Sequence, residues 1–329
     1  MKRCLRTVVM GITALTMAIT ASASTLNKEE WPQKPIRIIV PFTTGGSVDI
    51  MMRALGMKLS QSLKQSVIIE NRPGAGGAIG TTLVANAKPD GYTLAAGTTG
   101  THVVNPLVLK DLSYDSVRDF EPISLVQTVP LVLAINPQLN VVTFAEFIEL
   151  AKNRSPDAPI TIAAPSNAHH ITIAHLAEVT GASFQIVPYS GPAQSVTDAI
   201  GGHIDAVLDT GMAVAPHDKS GDLKILAVGS LERLPFLKNT QTISEMGYPG
   251  FEAIGINSLY APAGTAPEVI QRLNKEIKEI MGSPDIIELV NNSAGLVVSS
   301  SPDELAAWQH KQTKVWKELI EKTQIQFFN

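Results

Sequence analysis

Ile36-Arg37-Ile38-Ile39-Val40-Pro41-Phe42-Thr43-Thr44-Gly45-Gly46-Ser47-Val48-Asp49 is the stretch that decides how this chain is read. Four of its first five residues are apolar and β-branched, which predicts a buried strand over Ile36 to Pro41. Ile50, Leu55, Leu59 and Leu63 then recur at helical spacing and predict a helix over Asp49 to Lys64. Between them lies a short loop of Thr, Gly and Ser. A strand that runs through such a loop into a helix aims the first N–H groups of that helix, which have no intrahelical partner, at the space beyond the strand. That space can hold an anion without any Lys or Arg. The competing local reading is an ordinary strand-to-helix turn with Ser47 as N-cap.

The same scheme continues outward. A strand over Ser66 to Glu70, a turn at Asn71-Arg72-Pro73-Gly74, a helix over Ala78 to Ala87 and a strand over Thr93 to Gly97 complete a βαβαβ order. This order implies a parallel, helix-covered sheet with right-handed crossovers. Further strands are expected over Leu131 to Asn136, Ile160 to Ala164, Phe184 to Pro188, Ala206 to Asp209 and Ile225 to Val228. Helices are expected over Thr143 to Lys152, His170 to Thr180 and Ala193 to Ile200. These predict a second α/β domain rather than a solenoid. A late strand over Ile256 to Tyr260 and helices over Pro267 to Met281 and Pro302 to Lys322 return the chain to the first domain. Ile123 to Val132 and Gly250 to Tyr260 are then the two crossings, and a double crossing makes a hinge with a cleft. The expected division is one lobe from residues 31–128 plus 256–329 and a second from residues 129–255.

The 329 residues are 44% hydrophobic, enough for sizeable cores. The net charge of −4, with no basic run, excludes nucleic acid as a partner and argues against an anionic membrane surface. Residues 1–23 read as a signal peptide. Lys2, Arg3 and Arg6 form its basic start, Val8 to Ile19 its apolar segment, and Ala21-Ser22-Ala23 its cleavage site. The single cysteine, Cys4, falls inside that leader, so the exported chain is expected to carry no thiol, disulfide or cysteine metal site. The expected compartment is the periplasm.

Six spaced segments together resemble one family. They are Pro35 to Phe42 with Gly45-Gly46 and Asp49; Glu70-Asn71-Arg72-Pro73-Gly74-Ala75-Gly76-Gly77 with Ile79-Gly80; and Lys88-Pro89-Asp90-Gly91-Tyr92-Thr93-Leu94. Tyr114-Asp115 with Arg118-Asp119-Phe120, Val187-Pro188-Tyr189, and Leu259-Tyr260-Ala261-Pro262-Ala263-Gly264-Thr265 follow. The chain is similar here to the Bug/TctC family of tripartite tricarboxylate transporter solute receptors. The resemblance implies a two-lobed type II periplasmic-binding-protein fold with its ligand cleft between lobes, and no catalysis. It also implies a small carboxylate ligand and delivery to a membrane permease with one large and one small integral subunit. Relatives often carry Ala-Pro where this chain has Thr43-Thr44, which makes this wall more polar.

The candidate ligand residues follow predicted strands. Phe42, Thr43, Thr44, Gly45, Gly46, Ser47 and Asp49 form the first loop, and Thr98, Thr99 and Thr101 a second. His102, beside them, reads as a surface or helix-start residue. Ser166, Asn167, Ala168, His169 and His170 form the facing loop. Related loops end in His, and His170 aligns with it, the loop here being about two residues shorter by that alignment. Tyr189 and Asp209 are expected on the rear wall, although Asp209 reads as a helix cap ahead of a ligand contact. Adjacent histidines at a helix start point in different directions, so His169-His170 is not expected to hold a metal, and no cofactor is expected. Arg72 is expected to be structural, which leaves neutral donors and bridging waters to hold an anion.

The reading is a monomeric periplasmic receptor for a mono- or dicarboxylate, aliphatic or aromatic. A ligand sensor that docks on a signalling receptor is an alternative. An exported hydrolase with Ser190 or Ser166 as nucleophile and His170 or His175 as base is another, but no Gly-x-Ser-x-Gly elbow supports it.

Overall fold

The computed structural model describes residues 31–235, 237–291 and 295–323. The expected leader and its cleavage site lie outside the described residues. β1 (Ile36–Val40), α1 (Ser47–Leu63), β2 (Val67–Asn71), α2 (Ala78–Ala85) and β3 (Thr93–Thr98) follow the predicted βαβαβ order. In β1 only Arg37 reaches solvent, where its guanidinium meets Glu70. The other four side chains are buried, as befits a parallel strand covered on both faces.

The chain continues through a π-turn at Gly100–Val104 into α3 (Asn105–Val108) and then β4 (Phe120–Ile135). The next elements are α4 (Phe144–Asn153), β5 (Ile160–Ala164), α5 (Asn167–Thr180), β6 (Phe184–Pro188), α6 (Pro192–Ile200), β7 (Ala206–Thr210), α7 (Gly211–Ser220) and β8 (Lys224–Val228). It closes with β9 (Ile254–Pro262), α8 (Pro267–Met281), α9 (Pro284–Asn291), β10 (Leu296–Val297) and α10 (Pro302–Thr323).

One curled sheet runs in the order β2-β1-β3-β9-β4-β7-β5-β6, with β8 and β10 also paired to β4. β4 is the shared element. Its 16 residues, at about 3.3 Å each, span roughly 50 Å, twice an ordinary strand or more. Phe120 to Pro130 pair antiparallel with β9, whereas Leu131 to Ile135 pair with β7 and β8. The partner change falls between Pro130 and Leu131, where Leu131 N–H donates to Ala253 O at 2.9 Å and Gly229 N–H to Leu131 O at 2.7 Å. Proline cannot donate to a ladder, so Pro130 suits the point where pairing changes hands. Both expected crossing segments lie on β4 and on the run into β9.

Separate cores cover the two parts of the sheet. One packs Ile39, Val84, Ala95, Tyr114, Phe120, Ile256 and Tyr260 together. Another packs Leu131, Leu133, Phe144, Phe147, Ile160, Ile173 and Leu208. α4 is fixed at its start by a capping box in which Thr143 accepts from the Glu146 amide and Glu146 accepts from Thr143 N–H at 3.0 Å.

Several local expectations need correction. α1 begins at Ser47, not Asp49, and its N-cap is Gly46, so Ser47 is no cap. α5 begins three residues before His170. The strand expected over Leu131 to Asn136 is the second half of β4. His102 is neither a surface nor a helix-start residue. It lies inside the π-turn, fully buried, stacked on Tyr260 with ring centres 3.9 Å apart and edge-on to Phe120. Gly97 makes the room, since a Cβ there would sit 2.4 Å from the Tyr260 ring.

Candidate functional site

Helices that follow parallel strands start at the same edge of a sheet. α1, α5, α6 and α7 all begin around one cavity of about 100 Å³, far above the ~10–15 Å³ that a single water needs. Each of these helices is nine residues or longer. Their starts are not equivalent. Thr210 caps α7, its Oγ1 accepting from Ala213 N–H, and α6 opens with Pro192, which has no N–H to offer. The cap residues of α1 and α5, Gly46 and Ser166, make no side-chain cap hydrogen bond. The first amides of those two helices therefore have no side-chain cap as acceptor, and Gly46, Ser47 and Val48 of one start and Ser166, Ala168 and His169 of the other line the cavity.

The loop before α1 is held by Asp49. Its carboxylate accepts from Gly45 N–H at 3.0 Å, from Arg53 Nε at 3.0 Å and from Asn71 Nδ2 at 2.9 Å, and Asn71 also donates to Phe42 O. Burial opposes the charge of Asp49, but the bonds from Arg53, the Gly45 amide and Asn71 outweigh it and hold the carboxyl below its ordinary range. Asp49 borders the cavity with both oxygens already engaged. Gly45 takes φ +86°, which an L side chain rarely adopts, so the turn requires glycine.

The structure brings Phe42, Thr43, Gly46, Ser47, Asp49, Thr98, Thr99, Ser166, Ala168, His169 and Asp209 onto the cavity wall. Thr44, Gly45, Thr101, Asn167, His170 and Tyr189 are not on it. Thr101 is taken up by its own loop, where its Oγ1 accepts from Thr98 N–H at 3.0 Å. Tyr189 donates to Asp198 Oδ2 at 2.8 Å. Asn167 reaches across to Asn105 at 3.1 Å, and Asn105 donates to Gly76 O. Gly46 and Gly191 sit close to Pro192 and Thr43, so a Cβ on Gly191 would stand 2.7 Å from Thr43 Oγ1.

The other walls come from residues that the sequence did not single out: Val129, Leu131, Ile254, Gly255, Ile256, Asn257 and Trp316. Asn257 was the legible one, an amide within an apolar crossing segment. Trp316 lies on α10 with nothing in its neighbourhood to mark it. Four buried polar atoms of wall residues have no hydrogen-bond partner: Thr99 Oγ1, His169 Nε2, Asp209 Oδ2 and Asn257 Nδ2. Orphaned polar atoms are costly inside a protein, and a cluster of them around one cavity marks a place for a polar guest.

His169 and Ser166 share a hydrogen bond of 2.7 Å between Nδ1 and Oγ. Burial lowers the His169 pKa to about 4, so the ring is neutral at pH 7. A serine beside a histidine suggests hydrolysis, but this imidazole has no carboxylate to orient it and is too weak a base to draw the serine proton. Among the described residues no Lys or Arg lines the cavity. Arg72 is elsewhere, partly exposed and paired with Glu70.

Comparison with known proteins shows the family and the fold. The Tripartite tricarboxylate transporter family receptor (TctC) profile matches residues 51–325. The chain belongs to this family. It is 33% identical to Protein BugT of Bordetella pertussis over 316 residues, covering 96% of each chain. Among solved structures it is similar to R. palustris Rpa4515 with adipate, at TM-score 0.87 and 29% identity, over 90% of this chain and 99% of that one. It is also similar to MatC from Rhodopseudomonas palustris with bound malate, at TM-score 0.81 and 26% identity, over 88% of this chain and all of the other. The fold is thus that of the two-lobed periplasmic binding proteins. Among the described residues no helix is long and apolar enough to cross a membrane.

Proposed function

We propose that this TctC-family receptor captures a small carboxylate in the periplasm, after export by the leader at residues 1–23, and delivers it as a monomer to a membrane permease with one large and one small integral subunit. The observation that carries the reading is the pair of uncapped helix starts, α1 and α5, lining one cavity with no cationic side chain among the described residues. Main-chain amides and helix dipoles suit a carboxylate, each dipole contributing about 0.3–2 kcal/mol. The adipate and malate in the two solved relatives are dicarboxylates, which favours the same class here.

The division into one lobe of residues 31–128 plus 256–329 and another of 129–255 is part of the proposal. It is supported by the partner change on β4 between Pro130 and Leu131 and by the start of β9 at Ile254. One carboxylate is held between Gly46–Val48 and Ser166–Ala168, with Thr43, Thr98, Thr99 and His169 adding polar contacts. Closure of the lobes buries the ligand, and the closed form is what the permease recognises. The binding free energy that differs between open and closed states drives that closure.

Thermal-shift and calorimetric screening against succinate, malate, adipate, citrate and benzoate tests the reading. At least one acid is expected to raise the melting temperature and bind one to one. A panel without a binder refutes it. Turnover of activated esters at the Ser166–His169 pair is expected to be nil.

A further inference from the structure

Among the described residues, the cavity wall carries three side chains able to hold a charge: Asp49, His169 and Asp209. Asp49 is neutralised by Arg53, and His169 is an uncharged ring at neutral pH. Asp209 differs from both. It is 2% exposed, its Oδ1 accepts from Thr210 N–H at 2.6 Å, and its Oδ2 has no partner at all. An ionised carboxylate has room for about four hydrogen bonds, so one whose donors all belong to the adjacent Thr210, with Oδ2 unpartnered, is poorly stabilised as an anion. Adding a second anion beside it, with no cation on the wall, would compound the cost.

We propose that Asp209 is the specificity-determining residue of this cavity: it meets the ligand as a neutral acid, its Oδ2–H donating to an oxygen of the bound carboxylate, so that capture of the anion takes up a proton wherever Asp209 is ionised beforehand. The inference rests on the carboxylate reading above. The proton comes from the buffer and stays on Asp209, and no bond of the ligand is broken. Burial pushes this carboxyl up to about 7, which the Thr210 hydrogen bonds offset only in part.

The surroundings leave Asp209 as the group that titrates. β4 faces it with Val132; β5, whose Ala163 pairs with Val207 two residues earlier, runs out into Pro165 on the cavity wall, and β9 brings the neutral Asn257 there. α5 brings His169, and α1 the ion-paired Asp49. On α6, Asp198 is engaged by Tyr189. On α7, Asp218 accepts from Ile225 N–H, and His217 and Lys219 lie in the last turn, away from the cavity end.

Two measurements test this. In the ligand-free protein, the Thr210 amide reports the protonation of Asp209 through their hydrogen bond. Its NMR shift is expected to titrate near pH 7, and a shift that titrates only below pH 5 overturns the proposal without touching the carboxylate reading. Calorimetry with succinate, malate and adipate at pH 6, 7 and 8, in two buffers of different ionisation enthalpy, reads proton uptake directly. For any acid that binds, about one proton is expected to be taken up at pH 8, and Kd to rise about tenfold per pH unit above 7. Asp209→Asn, which keeps an acceptor for Thr210 and supplies N–H donors, should bind more tightly than the parent at pH 8 and lose the pH dependence. A parent Kd that is flat from pH 6 to 8 overturns the proposal alone. So does binding of aspartate that Asp209→Asn abolishes, since an ionised Asp209 would then be holding an ammonium group. Absence of binding by all three acids overturns the receptor reading and this proposal together.

Discussion

His102 should set the acid limit of this fold, and its contribution can be worked out from its surroundings. The ring is fully buried, stacked on Tyr260, edge-on to Phe120, and its Nδ1 meets Thr101 Oγ1 at 2.9 Å. Burial drives its pKa down to about 3, against an ordinary value of about 6.5. A folded-state pKa below the unfolded one means that the unfolded chain binds more protons in the window between the two. Stability therefore falls as pH drops through 6.5 and goes on falling to about pH 3. The full loss is about 5 kcal/mol, and between pH 7 and pH 5 it is about 2 kcal/mol. His102→Phe preserves an aromatic ring against Tyr260 and removes the titration. Urea unfolding followed by circular dichroism at pH 7 and pH 5 would compare the two proteins. The variant is expected to be less stable at pH 7, having lost the Thr101 bond, yet to lose about 2 kcal/mol less than the parent on going to pH 5. His102→Leu serves the same comparison if the Phe variant folds poorly. Equal losses in parent and variants would show that His102 is not the buried neutral group described here.

Three further outcomes follow from the site. Asp49→Ala removes the acceptor for Gly45, Arg53 and Asn71, and should cost about 2–3 kcal/mol in urea unfolding, discounted because Arg53 is half exposed. It should also weaken carboxylate binding in calorimetry; unchanged affinity would disconnect the loop from the ligand. Gly45→Ala meets open space but a φ of +86°, so about 1–2 kcal/mol of backbone strain is expected, read as a lower melting temperature, and no loss would mean that the loop relaxes freely. Gly191→Val would drive its side chain into Thr43, and should lower affinity by roughly tenfold or more and cost about 1–3 kcal/mol of stability in the ligand-free protein. Affinity equal to the parent's would disconnect the Gly191–Thr43 approach from ligand binding.

Much of the architecture was legible because it is written locally. The run from Ile36 to Asp49 reads as strand, glycine turn and helix from propensity alone, and β6 and α8 fall on their expected bounds. Boundaries at the functional loops were less legible. α1 and α5 begin earlier than their apolar periodicity suggests, because their first turns are packed against the cavity rather than against the core. His102 was misjudged for a related reason: the ring that covers it, Tyr260, comes from a distant strand, and sequence spacing carries no trace of that stack.

The chain by itself determined that parallel strands lead into helices through short polar loops, because this depends on residues within a few positions of one another. It also pointed to an anion site without a cationic clamp. Only the tertiary structure decided which atoms meet there. It turned Asp49 toward Arg53 and Asn71, left Asp209 Oδ2 without a donor, and brought Asn257 and Trp316 to the wall. The reason is that β4 and β9 cross between the two parts of the sheet, and the registers of those long strands, not any local signal, fix which side chains share one small enclosed volume.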